Sequence, residues 1–280
     1  MNVLYEDNHI IVVNKQSGEI VQGDKTGDVP LSDILKAYLK EKYNKPGNVY
    51  LGVVHRLDRP VTGAVLFAKT SKALPRLNKL FAEHEKVKKT YWAIVPNQPS
   101  VSENEHQPSA LSPQPSALSH QPSALSPQPS AFSSQPSALS PQPSAFSSQP
   151  SAISHQPSVR LTHWLTRNEK TNTAKAYDHE VPNSKKAILD FRLISTGDRY
   201  ALLEIQLHTG RHHQIRCQLS KIGCPIKGDL KYGAPRSNPD GSICLHARKL
   251  ELEHPVTHEL LTITAPVPKD PLWQALAPGF

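Results

Sequence analysis

The chain has 280 residues, 37% hydrophobic and 20% charged, with 32 Lys and Arg against 24 Asp and Glu and a formal net charge of +8. That length accommodates one large domain or two small ones with a sizeable core. Three cysteines exclude a disulfide framework, and no C-x-x-C pair points to zinc. The N-terminus, MNVLYEDNHI, has no basic segment ahead of an apolar run, and no stretch reaches the ~18–20 apolar residues of a bilayer span. A soluble protein of a reducing compartment, the cytoplasm, is expected, with no membrane partner. The charge is uneven. Residues 102–158 hold two Glu and no Lys or Arg, so the other 223 carry 32 basic against 22 acidic residues, a net +10. Such a balance favours a polyanionic partner.

In chain order, Val3 to Lys15 alternates around Asp7-Asn8 and predicts a hairpin. Leu31, Ile34, Leu35, Tyr38 and Leu39 make a helical stripe within Leu31 to Tyr43. Ala64 to Lys69 reads as a buried strand. Ser71 to His84 reads as a helix capped by Ser71, with Leu74, Leu77, Leu80 and Phe81 inward. Lys89 to Val95 is a strand, in which Tyr91 and Trp92 point to opposite faces.

A tandem repeat follows, Q-P-S-A-φ-S-x with a period of seven, beginning at Gln107 and ending in a truncated copy at Gln156. A heptad period suggests a coiled coil, but every unit carries proline at its second position, at ~3 kcal/mol each in a helix. One large apolar residue per unit buries too little to offset backbone ordering. A disordered, partly polyproline-II insertion is expected over 102–158. Beyond it, Leu161–Leu165, Lys185–Ile194 and Tyr200–Leu207 read as strands. His212–Ile222 reads as a helix ending at a left-handed Gly223. Ser242–Glu253 and Glu259–Ala265 form a closing hairpin around His254-Pro255-Val256-Thr257. These elements predict an α+β fold with a mixed, largely antiparallel central sheet flanked by helices. A single domain, 1–101 with 159–280, is interrupted by the insertion.

Two segments concentrate polar chemistry. In His55-Arg56-Leu57-Asp58-Arg59-Pro60-Val61-Thr62-Gly63 an acid sits between two arginines. It reads as an ion-paired turn residue or as an ionised nucleophile. His208-Thr209-Gly210-Arg211-His212-His213-Gln214-Ile215-Arg216 lies at a strand-to-helix junction, where amides and arginines suit an anion. No metal is expected, since no carboxylate or cysteine has a ligand-like spacing to the paired histidines.

Together these segments resemble the RluA family of RNA pseudouridine synthases. His55 to Gly63 is similar to its H-R-L-D-x-x-T-S-G signature, with Val61-Thr62-Gly63 in place of Thr-Ser-Gly. Lys88-Lys89-Thr90-Tyr91 resembles K-x-Y, and Thr209 to Arg216 resembles T-G-R-x-H-Q-I-R. Gly223 to Asp229 is similar to G-x-P-I-x-G-D and precedes Tyr232-Gly233; Leu245-His246-Ala247 and His254-Pro255 match L-H-A and H-P. The resemblance covers nearly all 223 residues outside the repeat, with no room at the N-terminus for the S4-like RNA-binding domain of many relatives.

The resemblance implies a pseudouridine-synthase-like fold that isomerises uridine to pseudouridine in structured rRNA or tRNA as a monomer, without cofactor or metal. It makes Asp58 the catalytic carboxylate and pairs it with Arg211. Tyr91 would stack under the base and serve as a proton acceptor, and Arg56 would fill the space a flipped nucleotide vacates. Arg59, Lys88, Lys89, Arg216, Lys227 and Lys231 are the candidates for RNA phosphate contacts. His55 is expected to hydrogen-bond its loop. The competing reading is a catalytically silent RNA-binding protein on the same fold. A phosphate-handling enzyme is disfavoured by the missing Gly-rich loop.

Overall fold

The structure is a computed structural model that describes residues 2–83, 86–97 and 158–279. The chain divides into two units, Met1–Val101 with Ile153–Phe280, and Ser102–Ala152; every described residue belongs to the first. Of the repeat insertion, only Ser158 is described, so its expected disorder lies outside the described residues.

The N-terminal hairpin is β1 (Val3–Glu6) and β2 (Ile10–Lys15). Its turn is made by Asp7, whose Oδ1 accepts the amides of His9 and Ile10 at 2.7 Å each. Helix α1 (Leu31–Lys42) buries Leu31, Leu35 and Leu39. Ile34, expected in the same stripe, is exposed instead. The short β3 (Gly52–Val53) leads through the Asp58 loop into β4 (Thr62–Ala68). Helix α2 (Ala73–Ala82) follows, and its first amide is taken by the Thr70 hydroxyl at 3.2 Å rather than by Ser71. β5 (Val87–Pro96) closes the first half.

The second half supplies β6 (Val159–Asn168), β7 (Thr173–Tyr177), β8 (Lys185–Thr196) and β9 (Tyr200–Leu207). Helix α3 (Gln214–Lys221) stops at Gly223, whose φ of +76° is the expected left-handed terminus. β10 (Leu245–Glu253), β11 (Leu260–Thr264) and α4 (Pro271–Leu276) complete the chain. Sequence reading missed β3, β7 and α4. The last carried a usable signal: Asp270 caps α4 through its carboxylate, and Pro271 occupies the first turn.

The strands form a single sheet in the order β1-β2-β4-β10-β5-β9-β8-β6-β7, with β3 on β4 and β11 on β10. Among the described strands only β4 against β10 runs parallel. The sheet is therefore mixed and largely antiparallel, and the α+β expectation holds. At the parallel contact Gly63 has a φ of +115°, and a Cβ there would collide with the Ala247 backbone. Glycine is required at this point, and the requirement fixes where β4 begins. The core takes Phe67, Trp92, Ile94, Leu202 and Ile205 from strands on both sides of the insertion.

Candidate active site

A cleft of about 560 Å³ opens where the Asp58 loop, β5 and the N-terminus of α3 meet. Its lining holds Arg56, Lys89, Arg167, Arg211 and Arg216, and Asp58 is the only acid among the lining residues. The loop that carries Asp58 is pinned from behind. Lys15, the last residue of β2, is 0% exposed. Its Nζ donates to the carbonyls of Gln16, Arg59 and Val61 at 3.0, 3.0 and 2.7 Å. Burial depresses its pKa to about 8. The Gly18 amide holds the Arg59 carbonyl as well, and the Ile243 amide holds that of Pro60.

Asp58 is held by Arg216, not by Arg211. Arg216 Nη1 donates to Asp58 Oδ2 at 2.9 Å, while its Nε and Nη2 grip both oxygens of Asp229 at 2.7 and 2.8 Å. Asp229 is 1% exposed. Burial penalises the Arg216 charge, but the hydrogen bonds and charge of Asp229, with those of Asp58, outweigh it and raise the pKa. Arg216 is thus committed to two carboxylates and has no fork left for phosphate. Arg211 points elsewhere: its Nε donates to the Lys186 carbonyl at 3.1 Å, on the rim of the cleft. The segment Thr209 to Arg216 contains both arginines, and only the helix start decides between them. Arg211 precedes α3, whereas Arg216 lies inside it on the buried face. Among the described residues no hydrogen bond reaches Asp58 Oδ1.

The junction before α3 is closed by Gln214. Its Oε1 accepts the Thr209 hydroxyl (2.7 Å) and the Arg211 amide (3.0 Å), and its Nε2 donates to the Ile188 carbonyl. Part of the donor set expected to cradle an anion is therefore spent internally.

Tyr91 lines the cleft from β5 and is 9% exposed. Burial, reinforced by the Asp58 charge, pushes its phenol above the usual range. That shift opposes the expected role as proton acceptor, which needs a phenolate near neutral pH. Lys89, two residues earlier on the same face, is lowered by burial. Trp92 faces away into the core, as expected. His55 accepts the Leu66 amide on Nε2 (3.0 Å) and stacks on Phe81. Burial, with Lys89 nearby, lowers it to about 3, so it holds the loop as a neutral ring.

The basic candidates separate. Arg56 lines the cleft with its Nη1 3.3 Å from Gln22 Oε1, alongside Lys89 and Arg211. Arg59 is ion-paired with Asp28 at 2.7 Å outside the lining. Lys88 alternates to the other face of β5. Lys227 donates to Asn238 in a separate cavity of about 540 Å³. Lys231 donates to the Asn172 carbonyl and does not line the cleft. Arg167, from β6, does line it and went unnoticed in the sequence, because β6 carried no motif.

A family model described as RNA pseudouridylate synthase matches residues 9–221. The chain belongs to that family. The resemblance to RluA-type proteins is thereby shown, and the enzyme class is RNA pseudouridine synthase. This synthase is 25% identical over 280 residues to ribosomal large subunit pseudouridine synthase D of Zymomonas mobilis, across 96% of this chain and 70% of that protein. It is 27% identical over 296 residues to tRNA pseudouridine synthase C of Pectobacterium carotovorum, across 100% of this chain and 62% of that protein. The chain spans about two thirds of the length of the curated relatives it matches. The structure of human RNA pseudouridylate synthase domain containing 4 shares the fold, with a TM-score of 0.62 over 96% of this chain and 89% of that one at 21% identity. Among the described residues of the synthase, no helix is long and apolar enough to cross a membrane.

Proposed function

We propose that this synthase isomerises uridine to pseudouridine in structured ribosomal or transfer RNA, with Asp58 as the catalytic carboxylate. One observation carries the reading: among the described residues, Asp58 is the only acid in a cleft lined by five basic residues, and a buried Asp229–Arg216 pair holds one of its oxygens. The cleft's positive charge attracts an RNA backbone. The arginine orients the carboxylate through Oδ2, and Oδ1, which accepts no hydrogen bond among the described residues, is left to meet the substrate. In the reaction C1′–N1 breaks, the uracil turns, and C1′ joins C5. The C5 proton leaves, and N1 gains one.

Arg56 stands at the cleft mouth, suited to replace a nucleotide flipped out of a stem-loop. Flipping costs a few kcal/mol and least in unpaired segments. Tyr91 underlies the base as a protonated phenol. Lys89, Arg167 and Arg211 face the backbone. The two relatives named for ribosomal and transfer RNA support these as the substrate classes, and the cytoplasm as the place of action. The chain works as a single domain, 1–101 with 159–280, and as a monomer.

The test is tritium release from RNA carrying [5-³H]uridine. Wild type is expected to release tritium from ribosomal or transfer RNA, and Asp58→Ala to release none above background. No release by wild type on either RNA would favour the silent RNA-binding reading. Release that survives Asp58→Ala would overturn the assignment of the carboxylate.

A further inference from the structure

A second group in the cleft lining approaches Asp58. His213 Nε2 lies 3.4 Å from Asp58 Oδ2. The residue precedes α3 in the left-handed region, with a φ of 51°. Its ring is buried. His212 stacks on it with centroids 3.8 Å apart and planes 24° apart, and the Tyr232 ring meets it edge-on at 5.6 Å. Such a pose is over-determined, since a non-glycine residue at positive φ is held only by its surroundings.

The hydrogen bonds reveal which nitrogen carries the proton. The Tyr232 hydroxyl accepts the Ala174 amide at 2.7 Å. Its own O–H remains to be donated, and His213 Nδ1 lies 2.8 Å away. With Nδ1 accepting, a neutral ring has its proton on Nε2, directed at Asp58. The reverse tautomer would point the Nε2 lone pair at a carboxylate and leave the tyrosine proton without an acceptor among the described residues.

We infer that Ala174, Tyr232 and His213 form a relay that fixes His213 as the Nε2–H tautomer, which orients Asp58 for the proposed isomerisation. His213 is thus a positioning residue, and its role rests on Asp58 being the catalytic carboxylate. The charged and titratable groups around the ring are Asp58, Arg216, His212, Tyr232 and Lys231. Burial lowers the imidazole to about 3; Asp58 opposes this, and Arg216, His212 and Lys231 reinforce it. His213 therefore supplies a donor without adding charge. Arg216 hydrogen-bonds Oδ2 and His213 Nε2 stands 3.4 Å from the same oxygen, so both bear on one side of the carboxylate.

The inference separates from a structural role by spectroscopy and by kinetics. Nitrogen-15 NMR of the full chain, with His213 assigned through His213→Gln, is expected to show Nε2 protonated, Nδ1 bare, and no titration from pH 8 to 5. In Tyr232→Phe the tautomer is expected to shift toward Nδ1–H. Its kcat for tritium release should drop about ten- to a hundredfold, the scale of a misaligned reacting group, with KM for RNA within about twofold. His213→Gln, whose amide can still donate from the Nε2 position, should keep more kcat than His213→Ala. A wild-type ring protonated on Nδ1, or one that titrates in that range, overturns the relay. Unchanged kcat in Tyr232→Phe and His213→Ala, with wild type active, overturns the positioning role alone. An inactive wild type overturns the proposed function and this role with it.

Discussion

Arg216 shows how much a single side chain can be committed. It serves a buried carboxylate at one end and an accessible one at the other. Removing it leaves Asp229 charged and uncompensated, at a cost of about 3–5 kcal/mol. Arg216→Met is therefore expected to lower the midpoint of urea unfolding and abolish tritium release. Arg216→Met combined with Asp229→Leu should regain most of the stability, because no buried charge remains, yet stay inactive. Recovery of activity in that double variant would show that Asp58 needs no guanidinium. At this scale the sequence was only partly legible. Asp58, Tyr91 and Arg56 could be named because motifs surround them. The arginine that pairs with Asp58 could not, because Arg211 and Arg216 lie in one motif five residues apart. Choosing between them requires knowing that α3 turns Arg216 toward Asp229 and Asp58, which the expected helix His212–Ile222 does not by itself reveal. Lys15 left no trace at all: a lysine at the end of an alternating strand looks exposed until the loop folds over it.

At the scale of elements, the junction of β4 and β10 connects the fold to the site. Thr62 and Gly63 pair with His246 and Ala247, and the Thr62 hydroxyl meets His246 Nδ1 at 2.8 Å. Gly63→Ala has to displace the Ala247 backbone and adopt a φ of +115°. A loss of about 3 kcal/mol is expected from strain and overpacking, read as a lower thermal midpoint. A variant as stable as wild type would mean the two strands can separate without penalty. Most strands were legible because β2, β4, β5 and β9 are apolar, β-branched and aromatic runs buried along most of their length. β7 was not, since TAKAY buries only Ala174 and Ala176 and carries one large residue, Tyr177, and its pairing to β6 follows the turn at Asn172, which sits at a φ of 48°.

For the whole molecule, two expectations follow. The first concerns the insertion. β6 lies three strands from β5, and Val159 is level with Phe191, Ile205 and Tyr91. Pro96 and Val159 are thus separated by about 14 Å across the sheet and ~17 Å along it. About seven extended residues bridge such a gap. Deleting Gln107 to Ser158 leaves ten residues for it, so tritium release should stay within about twofold of wild type, given that loop closure depends weakly on length. A folded but inactive deletion would assign the repeat a role in RNA handling.

The second expectation concerns acid. His55 and His213 are lowered to about 3 and His246 to about 4, chiefly by burial. The unfolded chain protonates them near 6.5 while the native state does not. Stability from these residues is complete above about pH 6.5 and falls as pH drops toward about 4. The carboxylates Glu6 and Asp190, lowered to about 2, add to the loss only below about pH 4.5. Unfolding free energy is expected to fall by about 1–2 kcal/mol per buried histidine between pH 7 and 5. A flat profile over that window would mean that these rings are protonated in the native state.

The parallel contact between β4 and β10 also bears on synthesis of the chain. Asp58 and the Tyr91 strand leave the ribosome early, whereas Arg216, Asp229 and the strand that receives Gly63 emerge 120 or more residues after β5 has ended. Domains assemble from the N-terminus as they emerge. Here no early fragment holds the aspartate and its partners together. The nascent chain therefore passes most of its growth as a half-built sheet with a basic surface and no assembled centre, and chemical competence is gained in one late step.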